Sequence, residues 1–240
     1  MECIEESLER SQHIRNHAGM SASPYRRMDS GAIGSVAVGY PLQLWNPEDR
    51  RLLKTVDYLL EHSTVKDMFF QDMIHSGLNA YLTLHMAQVL MRAGDERFFP
   101  LVQAVANAAS PTGQWPEAVH PRTGGGCMGD GQHIWAVAEW ILMIRNMFVR
   151  EEYDSLVLCG GIPQEWCKPG EKMSFGPTPT PWGPVTVSVD CLEEGGGITV
   201  SWKAAWRETA PDICVALPGA EAQDVPGGSA YSVTVEPTSR

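Results

Sequence analysis

The sequence predicts an α+β protein. Residues 1–152 read as a partial (α/α) toroid of helical hairpins. Residues 153–240 read as a small antiparallel β-sandwich. Three observations predict this. Helical periodicity stops near Tyr153, where Gly, Pro, Val and Thr in period-two runs take over. Within the first part, helices apolar on nearly every face alternate with amphipathic ones. The links between them alternate between short and long.

Bulk properties narrow the function. The 240 residues are 43% hydrophobic and 20% charged, the balance of an ordinary globular chain. A formal net charge of -11 argues against nucleic acid as a partner, because neutralising phosphates needs clustered Lys and Arg. The six cysteines have no C-x-x-C spacing, so we expect reduced thiols and neither metal nor cofactor. The acidic start, Met1-Glu-Cys-Ile-Glu-Glu6, lacks the apolar run of a signal peptide. The most apolar stretch, residues 134–149, is too short to span a membrane and carries Glu139 and Arg145. No membrane partner and a cytoplasmic location are therefore expected.

Taken in order, Glu2 to Ile14 reads as a short amphipathic helix, followed by an extended loop through Asp29. A helix over about Ser30 to Leu44 carries Gly31, Gly34 and Gly39 and no charge. Such a run forms a helix only when packing offsets its poor propensity, so it should be buried. Asn46-Pro47-Glu48-Asp49 reads as a helix start, with Asn46 as N-cap. The helix to about Ser63 segregates Leu52, Leu53, Val56, Leu59 and Leu60 from Arg50, Arg51, Lys54, Asp57 and Glu61, so it is an outer helix. Ser76 to Ala93 is again apolar nearly all round. A shorter helix follows Gly94-Asp95 and reaches about Ala109, with Pro100 near its start. A last buried helix spans about Gly131 to Val149, with Asp130 placed to cap it.

The link pattern converges on function. Trp45-Asn46 and Gly94-Asp95 are short links. Thr64 to His75 and Ser110 to Asp130 are long ones. In antiparallel hairpins all the long links fall at one end. Arg26, Arg27 and Asp29, then Gln71, Asp72 and His75, then the loop after Ser110 should share a face. Inner and outer helices in succession describe an α/α toroid, though a closed ring needs about twice as many inner helices.

Beyond Tyr153, strands are expected at Glu171–Phe175, Val185–Asp190, Ile198–Lys203, Ile213–Ala216 and Tyr231–Val235. Gly195-Gly-Gly197 signals a hairpin between the second and third.

The richest stretch is Gly113-Gln-Trp-Pro-Glu-Ala-Val-His-Pro-Arg-Thr-Gly-Gly-Gly-Cys-Met-Gly-Asp-Gly-Gln-His-Ile-Trp-Ala-Val-Ala-Glu-Trp140. It resembles the last catalytic loop and final inner helix of six-hairpin glycosidases, in particular the glucoamylase and glycogen-debranching, amylo-alpha-1,6-glucosidase-like group. Pro24–Ser35 and Phe70–Gly77 resemble two earlier hairpin starts of the same barrel. The likeness covers roughly Ser21 to Trp166. It implies a glycoside hydrolase acting on an α-glucan-like carbohydrate, with residues 1–152 as the C-terminal half of its (α/α)6 helical barrel and residues 153–240 as an accessory domain. An N-terminal half, in this or another chain, is the implied partner.

The resemblance places Glu117 at the family's catalytic Glu, as general base. Local chemistry agrees: a carboxylate follows Trp115 in a turn held by Pro116. Inversion at a glycosidic centre needs a second carboxyl to protonate the leaving oxygen. Asp29 and Asp72 either bind sugar hydroxyls or steady Arg26 and Arg27, and neither matches an acid motif. Gln71, Arg27, His120 and His133 are further candidates to bind substrate, and Trp115 to stack on a sugar face. Trp135 and Trp140 are expected in the core. Two alternatives stand beside hydrolysis: a non-catalytic carbohydrate-binding or assembly subunit, and a phosphorylase or lyase of the same architecture. Phosphorolysis needs a basic pocket that only Arg26, Arg27 and Arg122 could supply.

Overall fold

The computed structural model describes residues 2–73, 76–129, 131–193, 197–225 and 230–235. The expectations placed on His75 and Asp130 lie outside these. The chain is α+β and divides into two compact units, Met1–Ile141 and Leu142–Arg240.

The first unit opens with α1 (Glu2–Arg15). The glycine-rich run then forms a 3-10 helix, Ser30–Val38, instead of a longer α-helix. Its Asp29 N-cap accepts a hydrogen bond from the Gly31 amide. The run is buried as expected, with Ala32 and Val36 fully enclosed. Gly39 closes it at a point where a Cβ would press into Leu52 and Val89, so only glycine lets the neighbouring helices approach.

Helix α2 (Arg50–His62) is capped by Asp49, not Asn46. Asn46 Oδ1 takes the Glu48 amide at 2.8 Å in a local turn, which delays the helix. Its buried face is Leu52, Thr55, Val56 and Leu59. Helix α3 (Ala80–Arg92) is buried at every position except Leu82. Helix α4 (Phe98–Asn107) tolerates Pro100 because the first turn needs no amide donor there. Helix α5 spans Ile134–Phe148 and is not the buried helix expected, since Ile134, Trp135 and Ile141 on it are exposed. Helix α3 packs on α4, on α2 and on the 3-10 helix, which itself packs on α2. Among the described residues, these packings show no toroid of hairpins.

The long links are not plain loops. They pair as a five-stranded sheet in the order β1 (Thr64–Val65), β2 (Met68–Gln71), β3 (Gly77–Leu78), β4 (Ala118–Val119) and β5 (Gly126–Met128). Strands of two to four residues are too short to display a period, so the sequence hides them.

The second unit begins within α5, earlier than the compositional break at Tyr153. Helix α5 runs directly into β6 (Val149–Glu152), which pairs with β7 (Ser155–Leu158). The amides of Cys159 and Gly161 bond the last helical carbonyls, Phe148 and Met147, binding the helix end into this unit. Two four-stranded sheets follow. One has the order β13-β10-β9-β8 and the other β12-β11-β7-β6. Their members are β8 (Lys172–Thr178), β9 (Val185–Cys191), β10 (Ile198–Ala204), β11 (Asp212–Val215), β12 (Gln223–Val225) and β13 (Ala230–Val235). All five expected strands are present within a few residues. Pairing is antiparallel except between β7 and β11. Gly195 and Gly196 lie outside the described residues, and the strands on either side pair antiparallel, Cys191 opposite Ile198. Strand β9 alternates buried and half-buried positions, one apolar face.

Candidate functional site

Glu117 is placed by the small sheet. It immediately precedes β4, and Asn79, which caps α3, donates from Nδ2 to the Glu117 carbonyl at 3.0 Å. The His133 amide bonds the Trp115 carbonyl at 2.8 Å, tying the start of α5 to the same segment. Gly129 adopts φ +67° beside Glu117, where a Cβ would meet the Glu117 side chain. The glycine is thus required twice, for its backbone and for the closeness of the carboxylate. The Tyr81 hydroxyl has its pKa raised, first by burial and then by the negative charge of Glu117.

From Tyr81 a chain of aromatic and ionisable groups runs along α3 and α5. Tyr81 stacks on Trp135, with centroids 4.5 Å apart at 27°, and lies 5.0 Å from the His133 ring. Trp135 Nε1 donates to Glu139 Oε1 at 3.2 Å. His85 Nε2 lies 3.2 Å from the same oxygen, an ion-pair distance rather than an aligned hydrogen bond. The Tyr40 hydroxyl donates to Glu139 Oε2 at 2.7 Å. Glu139 and His85 are only 6% and 8% exposed. Burial pushes the Glu139 carboxyl up, but His85, Tyr40 and Trp135 outweigh it and the pKa lies below its ordinary value.

The remaining candidates fall elsewhere. Trp115 is 2% exposed, and its indole N–H donates to the Val105 carbonyl at 2.8 Å. It packs 5.5 Å from Trp140 in the core and offers no ring face to a ligand. Trp135 does the reverse of what its apolar context suggests, since it is 50% exposed. His120 uses Nδ1 to accept from the Arg122 and Thr123 amides, each at 3.2 Å, and so closes its own turn. That turn borders a groove of about 540 Å³ along α4, lined by Lys66, Asn107 and His120. Cys127 is exposed, and its thiol donates to the Ser76 and Ala118 carbonyls.

Asp29 and Asp72 do come together, through Ser30, whose hydroxyl donates to Asp72. Asp29 also holds Arg26 at 2.6 Å, and Arg26 reaches the Met73 sulfur. Gln71 accepts from the Met73 amide beside them, and Arg27 is exposed. This group does not join Glu117. Strands β2 and β4 both run antiparallel to β3, with Phe70 and Val119 each opposite Leu78. Asp72 leaves β2 at its end and Glu117 enters β4 at its start. They lie at opposite ends of the sheet, roughly 13 Å apart along the strand direction. The single face expected from the links is thus two polar groups.

Tyr40, Tyr81, His85 and Glu139 were not among the sequence candidates. The signal was present: Glu139 and His85 each interrupt an apolar helix, and a buried ionisable group needs a partner. Among the described residues, no cluster of three or more His, Cys, Asp or Glu is placed to hold a metal ion. No helix among them is long and apolar enough to cross a membrane. No family model and no curated protein matches the chain.

Proposed function

We propose that this chain is the C-terminal part of a six-hairpin glycoside hydrolase acting on an α-glucan-like substrate, with Glu117 as general base. The observation that carries the reading is the setting of Glu117. A half-buried carboxylate stands beside Tyr81 at the N-terminal ends of α3 and α5, with His133 and the half-exposed Trp135 close by. A base that activates water needs such a partly shielded place, open enough for substrate and ringed by groups that bond hydroxyls. The partial barrel draws support from α5. Ile134 and Ile141 are 76% and 60% exposed, and Ala138 lies exposed between them. An apolar stripe at this spacing is the face that a further hairpin would cover.

One observation favours the runner-up, a carbohydrate-binding or assembly subunit without catalysis. No second carboxyl stands ready beside Glu117 among the described residues. Both oxygens of Glu139 are engaged, and Asp29 and Asp72 lie across the sheet. In the first reading the general acid comes from the other half of the barrel.

Sugar release from maltooligosaccharides and glycogen, measured for the chain alone and together with the other half of its barrel, separates the two. The complete barrel should hydrolyse the substrate, and Glu117→Gln should lower turnover by about 10²–10⁴-fold while preserving the fold. An unchanged rate in the Gln variant would make Glu117 structural. The half alone should self-associate in size-exclusion chromatography and hydrolyse little. A stable, fully active monomer would refute the partial barrel.

A further inference from the structure

We propose that Cys167 and Cys191 are a disulfide-forming pair, a staple that ties the segment before β8 to the end of β9. The inference lies within the second unit and is independent of the glycosidase reading.

The local sequence sets the pair up. A short 3-10 turn, Gln164–Trp166, follows Pro163, and Cys167 ends it, its amide donating to the Gln164 carbonyl at 3.0 Å. Lys168-Pro-Gly-Glu171 then reverses the chain. The Glu171 amide closes this turn on the Lys168 carbonyl at 3.0 Å, and Gly170 takes φ +85° at the third position, as a type II turn requires. The reversed chain meets β9 through the backbone of Cys191 itself. The Gly170 amide donates to the Cys191 carbonyl at 2.7 Å, and the Cys191 amide donates to the Glu171 carbonyl at 2.9 Å. One turn, held by its own bond and by two bonds to Cys191, therefore joins the two cysteines.

Their side chains meet as well. The Cys167 thiol is near enough to donate to the Cys191 sulfur. It also reaches the Pro163 carbonyl at 3.8 Å, a long contact that gives way easily. Both thiols are free, Cys167 half-buried and Cys191 buried. Cys159 lies close enough to feel the charge of Cys167, but it is wholly enclosed at the end of β7, out of reach of an oxidant. Two adjacent thiols, one of them open to solvent, suit thiol–disulfide exchange.

Oxidised glutathione is the oxidant. The Cys167 thiolate attacks one of its sulfurs, forming a mixed disulfide and releasing one glutathione thiolate. The Cys191 thiolate then attacks the Cys167 sulfur and releases the second. The two protein thiols give up two protons and two electrons, and one glutathione disulfide becomes two glutathione thiols. Burial, and then the charge of Cys191, pushes the Cys167 thiol up to about 12, and burial raises Cys191 too. Only thiolate attacks, so exchange in the folded unit is slow at neutral pH. In the unfolded chain both thiols keep ordinary values of about 8.5, so the pair closes as the unit folds. It is a staple coupled to folding, not a fast switch.

The test unfolds the full chain, refolds it at mildly alkaline pH with oxidised and reduced glutathione, blocks free thiols with iodoacetamide and digests it. Mass spectrometry should find the peptides of Cys167 and Cys191 joined, and reduction should separate them. Amide hydrogen exchange in β8 and β9 should be about tenfold slower, or more, in the oxidised chain than in the reduced one, because the link closes the chain around both strands. Cys167→Ser should give the same exchange under both conditions. Cys167 and Cys191 left unlinked after oxidation overturns the proposal. Cys159 in place of Cys191 as the partner of Cys167 overturns it too, as does equal exchange in the oxidised and reduced parent.

Discussion

Two carboxylate groups of the first unit differ in almost everything except their hydrogen-bond count. Glu139 is enclosed, and each of its oxygens is engaged by side chains distant in sequence, Tyr40 and His85 among them. Asp29 is partly open to solvent and holds its near neighbours Arg26 and Gly31. The difference teaches what burial does to a polar contact. At the surface, water replaces a lost partner and little changes. In the interior, each lost partner leaves a charge without solvation, so the cluster must hold one geometry.

Breaking the enclosed group gives the largest effect. Glu139→Ala should lower the unfolding free energy by about 3 kcal/mol in urea titrations, because it opens a cavity and strips Tyr40 and His85 of their acceptor. A loss no larger than that of a surface substitution would mean that water already reaches the site. Next comes pH. Because the Glu139 pKa is lowered on folding, the group contributes stability at every pH above the unfolded glutamate value of about 4.3. That contribution disappears as pH falls through the lower folded value. Glu139→Gln should therefore flatten the acid limb of stability below about pH 4. An unchanged acid limb would deny the group its net stabilisation as an anion.

Tyr40→Phe removes one hydrogen bond and keeps the ring that meets His85 edge-on at 5.3 Å. About 1–2 kcal/mol should be lost, since the bond serves a charged acceptor. The smallest effect belongs to the open group. Asp29→Asn keeps the N-cap acceptor for the Gly31 amide and removes only the charge that faces Arg26, so the loss should stay below about 1 kcal/mol and shrink further in high salt. A larger loss that persists in salt would erase the contrast between the two groups.

The sequence by itself determined the order of elements. Apolar periodicity, glycine content and turn residues are local properties, so the burial of residues 30–38, helices α2 and α3 and the strands from Lys172 onward were legible, whereas α5, expected buried, leaves Ile134, Trp135 and Ile141 exposed. Their neighbourhood was not. Whether Trp115 or Trp135 meets solvent depends on which side of each segment its partners occupy: Trp115, in the polar run Gly113–Glu117, is buried, and Trp135, in the apolar run Ile134–Ala138, is half exposed. In the five-stranded sheet, the pairing that sets Asp72 apart from Glu117 is that of β3 with β4, Leu78 opposite Val119, and it joins segments distant in the chain. The Glu139 cluster joins residues 40, 85 and 139 from the turn after the 3-10 helix, α3 and α5. Pairing, burial and the completion of a charge cluster depend on distances across the fold. Those distances are set when helices and sheet pack together, so only the tertiary structure decided them.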